Sequence, residues 1–369
     1  MSAGNKKKLR TGFTTGAAAA AAAKAALQLI LDTKPPESIE ITFLTGEKRV
    51  ISVFKSQKTS EKTAVCSVIK DAGDDPDVTH KAEIGARVSF YESDAYSDIL
   101  IRGGEGVGTI TKPGLEIPPG EPAINSGPRK MINQEIKACL LKYNTFGQVS
   151  VEIFVPKGVK LAKKTLNERL GILGGLSILG TTGIERPLSH EAYITTIDLA
   201  LSVSDALNCT EVVFTTGRRS ERYAQKIWNH KPKAAFIQIG DYFAKAVQLA
   251  SSKSMTHCIF TVFFGKAIKI ASGVACTHAK KSELKMSILA DWVKQITCDI
   301  KFAEKIRNAN TARHAFMIIN EQHPIVIDYI GKKVIESAFK YSGSKMRIGC
   351  VILDYEGKTV FKRLDQVNK

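Results

Sequence analysis

The amino-acid sequence predicts two different folds in one chain of 369 residues: an α+β domain over 1–187, then an α/β domain with a mainly parallel sheet over 188–369. Three observations carry this expectation. Strand signals crowd the first half with few helices between them, which suits an antiparallel or mixed sheet. Beyond Pro187, helix and strand signals alternate, the pattern of parallel strands joined by crossovers. The chain is also long enough for two cores, since single domains usually hold about 100–200 residues.

Taken in order, the alanine run opens a helix over Ala17–Leu31, because alanine is the best helix former. Thr14, Thr15 and Gly16 precede it as capping or turn residues. Ile39–Leu44 and Arg49–Phe54 read as a hairpin that turns through Thr45-Gly46-Glu47-Lys48. Further strands are expected at Ala64–Ile69, Ala86–Phe90, Asp98–Ile101 and Val149–Val155, and a helix over Pro128–Tyr143 with Pro128 in its first turn. In the second half, helices Glu191–Leu207 (capped by Ser189), Arg219–Trp228, Asp241–Ser251, Lys266–Ala271 and Ser282–Ile296 alternate with strands. Those strands are Glu211–Thr215, Ala235–Ile239 and Cys258–Phe264. A helix over Ile325–Phe339 and a last strand over Ile348–Leu353 close the chain.

Composition narrows the function. No apolar run reaches the ~18 residues of a membrane span, and no signal-peptide core follows the basic N-terminus. A soluble, cytoplasmic protein is expected. The seven cysteines form no C-x-x-C pair, so reduced, mostly buried thiols are expected rather than a disulfide framework or zinc ribbon. The formal net charge is +17. Lys and Arg are dispersed, without an arginine-rich tract, which favours solvated faces and a small polyanionic substrate over nucleic acid. There is no G-x-S-x-G, no P-loop and no histidine pair at metal spacing, so no protein metal site is expected. Homo-oligomerisation stays open.

Five segments rich in glycine, threonine and short acids are the candidate binding loops. Leu9–Gly16 leads into the alanine helix, where free N–H groups favour an anion and Arg10, Thr11, Thr14 and Thr15 offer polar contacts. Lys70–His80 holds four acids and a histidine. It lacks the spaced ligands of a calcium loop but suits acid–base work, because crowded carboxylates raise one another's pKa. Arg102–Thr109 and Gly114–Asn125 make a long loop of glycine, proline and interleaved apolar residues. Gly171–Gly183 is glycine-rich without the G-x-G-x-x-G order of a dinucleotide loop. Phe214–Ser220 joins a strand to a helix, and Asp241 follows the next strand. Ligands of open α/β sheets bind beyond the strands' carboxyl ends, where an acid can hold a ribose. That geometry suits an adenosyl group at Thr216, Gly217 and Asp241.

Together these segments resemble the CbiD family of cobalt-precorrin-5B (C1)-methyltransferases. The resemblance runs through Leu9–Gly16, Lys70–His80, Gly103–Asn125 with Pro128, Arg129 and Met131, Gly171–Gly183, Gly240–Lys245 and Thr277–Lys280, in the family's order and over most of the chain. It implies methylation of cobalt-precorrin-5B at C1 to give cobalt-precorrin-6A, with S-adenosylmethionine as cosubstrate, in the anaerobic, early-cobalt route to cobalamin. It also implies an N-terminal domain like a permuted ribosomal-protein fold, and cobalt carried only by the tetrapyrrole-derived substrate. The chain departs from the family pattern at Ala18, where many relatives place Cys, and at Lys81, where Gly is common. On this reading Arg10, Arg102 and Arg129 pair with the macrocycle's acetates and propionates. Thr14, Thr15, Glu121, Asn125 and His278 line its site, and Asp74, Asp75 or His80 handles protons. A basic RNA-associated protein and a non-catalytic corrinoid carrier are the competing functions.

Overall fold

A computed structural model describes residues 9–32, 34–93, 98–187, 190–278 and 286–364. The chain divides into two compact units, Met1–His190 and Glu191–Lys369. The first runs β1 (Gly12–Phe13), α1 (Thr15–Leu31), β2 (Ser38–Thr42), β3 (Lys48–Ser60), β4 (Thr63–Ile69), β5 (Glu83–Glu92), β6 (Ile99–Gly103), β7 (Thr109–Ile110), α2 (Ser126–Lys142), β8 (Gly147–Phe154), α3 (Gly158–Ala162), α4 (Asn167–Leu170), β9 (Ile172–Leu173) and β10 (Ile184–Glu185). Six of these strands form one sheet in the order β2-β3-β4-β5-β8-β6. Its neighbours are antiparallel except β6 and β8, which are parallel, so the sheet is mixed.

The alanine helix is the centre of this unit. Ala17 to Ala23 are all fully buried, and α1 packs on α2, β4 and β5. Methyl side chains allow that close approach on every side. The cap is Thr14 alone, whose extended backbone lets its hydroxyl accept the Ala17 N–H; Thr15 and Gly16 lie inside the first turn, not ahead of it. Lys24 interrupts the run and reaches the Glu135 carboxylate at 2.6 Å and the Glu40 carbonyl at 2.7 Å. The buried Glu135 also accepts the Thr42 N–H, at 2.7 Å. Strand β3 extends well past the expected Phe54. Its outer half, Lys55–Ser60, lacks apolar alternation and is held by its register with β4.

The second unit runs α5 (His190–Ala206), β11 (Glu211–Thr215), α6 (Arg218–Ile227), β12 (Phe236–Gln238), α7 (Phe243–Ser251), β13 (His257–Phe263), α8 (Phe264–Ala271), α9 (Met286–Thr297), α10 (Ile300–Arg307), α11 (Ala312–Gln322), α12 (Ile325–Tyr341), β14 (Arg347–Leu353) and β15 (Thr359–Arg363). The sheet order is β12-β11-β13-β14-β15. The first four strands are mutually parallel. Strands β13 and β14 are near-continuous apolar runs, buried on both faces as parallel strands must be. Phe214, Phe243 and Phe260 meet with centroids 5.3–5.4 Å apart in the core on one face.

Three elements go beyond the sequence expectation. Leu353 does not end the last strand pairing, because β15 returns antiparallel to β14. The turn between them is held by Asp354, whose side chain accepts from the Glu356 and Lys358 N–H groups. Helices α10 and α11 are short but properly capped, by Asp299 and Thr311. The proposed cap Ser189 and the start of the helix expected from Ser282 lie outside the described residues.

Strand order also places a crevice. The chain steps from β11 to β12 on one side, then to β13 on the other. The carboxyl ends of β11 and β13 therefore form a topological switch point, where open α/β sheets leave room for a ligand.

Candidate functional site

In the N-terminal unit, residues 10–13, 70–82 and 184–185 converge. Phe13 N–H donates to the Asp71 carbonyl at 2.8 Å, and Asp74 N–H to the Arg10 carbonyl at 2.9 Å. Arg10 N–H returns to the Asp74 carboxylate at 2.7 Å. Gly73 is required here: its φ is 67°, and a Cβ would lie 2.2 Å from the Arg10 carbonyl oxygen. The Arg10 guanidinium forks onto Asp71, with one arm at 2.9 Å. That hydrogen bond, more than any other cause, holds the Asp71 carboxyl down to about 2. The sequence placed Arg10 against a substrate carboxylate; in the fold a carboxylate of the chain itself occupies that fork.

His80 sits at the other end of this turn. Its Nδ1 accepts the Ala72 N–H at 3.1 Å. The neutral ring therefore carries its proton on Nε2, which makes that edge a donor. Beneath the turn, Lys70 is 1% exposed and lies between Asp77 and Glu185, the latter at 3.3 Å. Burial pushes the Asp77 carboxyl up, but the charge and hydrogen bond of Lys70 outweigh it and hold Asp77 low. For Glu185 burial prevails over Lys70, and its pKa is raised. The fold thus brings Arg10, Asp74 and His80 together in the turn that also carries Asp75. It adds Asp71, Lys70 and Glu185, which were not singled out as site residues.

The two long glycine segments form one layered structure. Bridges join Val107 to Leu176, Thr109 to Pro122 and Ile124 to Ile178, and β7 pairs with β9. Helix α1 starts against this layer. The Thr15 hydroxyl accepts from Leu179 N–H at 2.9 Å, and Thr14 N–H donates to the Gly183 carbonyl at 2.9 Å. At the start of α2, Asn125 Nδ2 and Ser126 N–H both hold the Glu116 carboxylate, at 3.3 and 3.1 Å. Arg129 gives Nε to the Ile124 carbonyl at 2.8 Å and a terminal nitrogen to the Ile101 carbonyl at 3.4 Å. Thr14, Thr15 and Arg129 therefore spend polar atoms on shaping the chain. Arg102 and Glu121 are exposed, Arg102 on the edge strand β6.

In the C-terminal unit, Thr216 and Gly217 leave β11 at the switch point, and a Cβ on Gly217 would meet nothing within 4 Å. Asp241 follows β12. Its Oδ1 accepts the Thr277 hydroxyl at 2.8 Å and pairs with Lys266, while its carbonyl accepts the Thr277 N–H at 2.9 Å. Lys269 reaches the Thr277 carbonyl at 3.1 Å. Burial pushes the Asp241 carboxyl up, but Lys266, Thr277 and the nearby His278 together hold it low. Lys266 follows β13, so this ion pair spans the end of β11. Across the switch, Arg219 donates to the Tyr355 carbonyl and lies over the Phe263 ring, 4.9 Å from its centroid.

Four cysteines (66, 139, 258 and 350) are buried. Burial raises their pKa values, to about 12 for Cys66 and about 11 for Cys139, so these thiols stay protonated at neutral pH. Among the described residues no group of three or more His, Cys, Asp or Glu side chains is arranged to hold a metal ion. No described helix is long and apolar enough to cross a membrane.

Glycine loops layered against helix starts in one unit, and a mainly parallel sheet with a strand-order switch in the other, define a mixed α/β protein. Residues 2–187 match the CbiD family model, and residues 276–363 match that of the CbiD C-terminal domain. The chain belongs to the CbiD family. A relative from Leptospira borgpetersenii serovar Hardjo-bovis is 40% identical over 366 residues, 98% of each chain. One from Priestia megaterium is 44% identical over 308 residues, covering 83% of this chain and 82% of its own. One from Geobacter sulfurreducens is 39% identical over 365 residues, 96% of this chain and 99% of its own. All three are named cobalt-precorrin-5B C(1)-methyltransferase. A crystal structure of the cobalamin biosynthesis protein CbiD from Archaeoglobus fulgidus is 28% identical, with a TM-score of 0.38, over 72% of this chain and 80% of that one.

Proposed function

We propose that the chain methylates cobalt-precorrin-5B at C1, giving cobalt-precorrin-6A, with S-adenosylmethionine as donor, in anaerobic cobalamin biosynthesis in the cytoplasm. The observation that carries this is identity near 40% over almost the whole of relatives bearing that name. The N-terminal unit is read as a permuted ribosomal-protein-like fold. The cobalt is part of the substrate.

When bound, S-adenosylmethionine supplies a methyl group on a sulfonium. The residues at the switch point suit such a donor, since the Thr216-Gly217 turn leaves open space at Gly217. Thr216 and Gly217 line the donor site, and Asp241 frames it through Lys266 and Thr277. Displacement at a sulfonium needs little covalent help. The chain's work is to hold an acceptor carbon about 3–3.5 Å from the methyl, in line with the departing sulfur.

The N-terminal loops hold the macrocycle. Arg10 and Arg102 face its carboxylates, with Thr14, Thr15, Glu121, Asn125 and Arg129 shaping or lining the site. Arg10 exchanges Asp71 for a substrate carboxylate, a near-neutral swap for a half-exposed pair. Asp74 and Asp75 accept a proton from the macrocycle, and His80 presents its Nε2–H as a hydrogen-bond donor.

Incubation with cobalt-precorrin-5B and methyl-labelled S-adenosylmethionine, followed by mass analysis of the macrocycle, tests the reading. One labelled methyl per macrocycle is expected. Binding of the macrocycle without transfer would mark a carrier and overturn it. Asp75→Asn and His80→Ala should each slow single-turnover methylation by about 10²-fold or more. Full rates in both would remove these residues from the mechanism.

A further inference from the structure

We infer that the adenine of the methyl donor stacks on the Phe263–Tyr355 ring pair at the switch point. The inference rests on the donor being S-adenosylmethionine.

Position comes first. Phe263 is the last residue of β13, and Tyr355 follows β14 on the turn to β15. Both rings therefore sit at the carboxyl ends of parallel strands, Phe263 one strand and Tyr355 two strands away from the Thr216-Gly217 turn. Their planes are 18° apart, with centroids 6.5 Å apart. Tyr223 and Phe316 prop them edge-on from behind, at 6.1 and 5.9 Å. Both rings remain half-buried although the core is close by.

Two planar cations cover those rings. The Arg219 guanidinium lies over Phe263, and that of Arg313 lies 5.3 Å from the Tyr355 centroid. Both arginines are exposed. An exposed cation–ring contact is weaker than the stacking of a nucleobase on an aromatic ring. A purine gains more from the rings than a guanidinium does, and Arg219 can keep its bond to the Tyr355 carbonyl and Arg313 its pair with Glu356 while the base stacks. Arg218 and Arg219 stand in the first turn of α6, where the helix dipole disfavours cations. The donor's aminoacyl carboxylate offsets that charge.

Asp241 frames the site: its Oδ1 takes both Lys266 and the Thr277 hydroxyl.

The affinity of the full-length protein for S-adenosylmethionine and for adenosine, read by calorimetric titration, tests the assignment. Phe263→Leu and Tyr355→Leu should each weaken both ligands by about 10-fold or more. Tyr355→Phe should restore native affinity. Native affinity in both leucine variants overturns the assignment. Photolabelling of the unmodified protein with an 8-azidoadenosyl analogue of the donor needs no folded variant. Label on the peptides carrying Phe263 or Tyr355 supports the platform, and label confined to peptides without either residue overturns it. A native protein that methylates cobalt-precorrin-5B yet shows either adverse result loses only this assignment. One that binds no donor loses the proposed function as well.

Discussion

In the N-terminal unit the central helix is a run of buried alanines, and the loops at its start are held by backbone bridges between glycine segments. In the C-terminal unit buried phenylalanines fill the same role, and the loops at the strand ends are held by side chains, Lys266 on Asp241 and Arg219 on Tyr355. The contrast follows from what each core leaves behind. Alanine lets backbones approach closely, so neighbouring loops come within backbone hydrogen-bonding range. Large rings keep the layers apart, and long side chains must then reach across the strand ends. The first unit should accordingly suffer most from added volume, and the second from removed volume.

The largest effect should come from emptying the aromatic core. Phe260 is fully buried against Phe214 and Phe243. Phe260→Ala should cost about 3–5 kcal/mol in denaturant unfolding. Ala20→Leu should cost about 1–3 kcal/mol, because α1 has no exposed face at that position to accept the larger side chain. If Ala20→Leu were neutral, the alanine packing would be looser than described.

A smaller change should be stabilising. Lys81 has φ 62°, in the left-handed region that favours glycine. That conformation costs a side-chain-bearing residue about 1–2 kcal/mol. Glycine recovers this but gives back about 0.4–1 kcal/mol through its freer unfolded chain. Lys81→Gly should raise the melting temperature by the equivalent of about 0.5–1 kcal/mol. A lower melting temperature would show that the lysine side chain contributes more than its backbone costs.

The smallest effect is a pH dependence shared by both units. A hydrogen bond from Arg10 holds Asp71 down to about 2, and one from Lys231 does the same for Glu211. Both folded values lie below the ordinary 3.8 and 4.5. The stability they add is thus complete above about pH 4.5 and is lost as the pH falls toward 2. Both carboxylates are more than one-third exposed, so water and salt weaken the contribution. Melting curves from about pH 5 to pH 2.5 should show the decline, and Arg10→Gln should remove the Asp71 share of it. An unchanged slope in that variant would show that the pair adds nothing measurable.

Much of this was readable in one dimension. The alanine run, the alternation of β2, β4 and β5 and the apolar runs of β13 and β14 are local patterns, and each marks its element within a few residues. The glycine loops, the acidic turn and the Thr216-Gly217 step after β11 were legible for the same reason. What escaped were contacts between distant segments. Lys70 opens the acidic turn in sequence, but only the fold buries it against Glu185. Glu116 looks like a loop acid until α2 begins beneath it. Asp241 has the spacing of a ribose acceptor, and only the fold brings Lys266 and Thr277 over β11 onto its Oδ1.

The sequence by itself determined the kinds of element, their order, the division near residue 187 to 190 and the family. Each of these rests on side-chain periodicity, backbone propensity or local motif. The tertiary structure decided which charged groups are available to a ligand and which are consumed by the chain. That depends on pairing across tens of residues, and the cost of burying an unpaired charge makes the chain satisfy its own ions first.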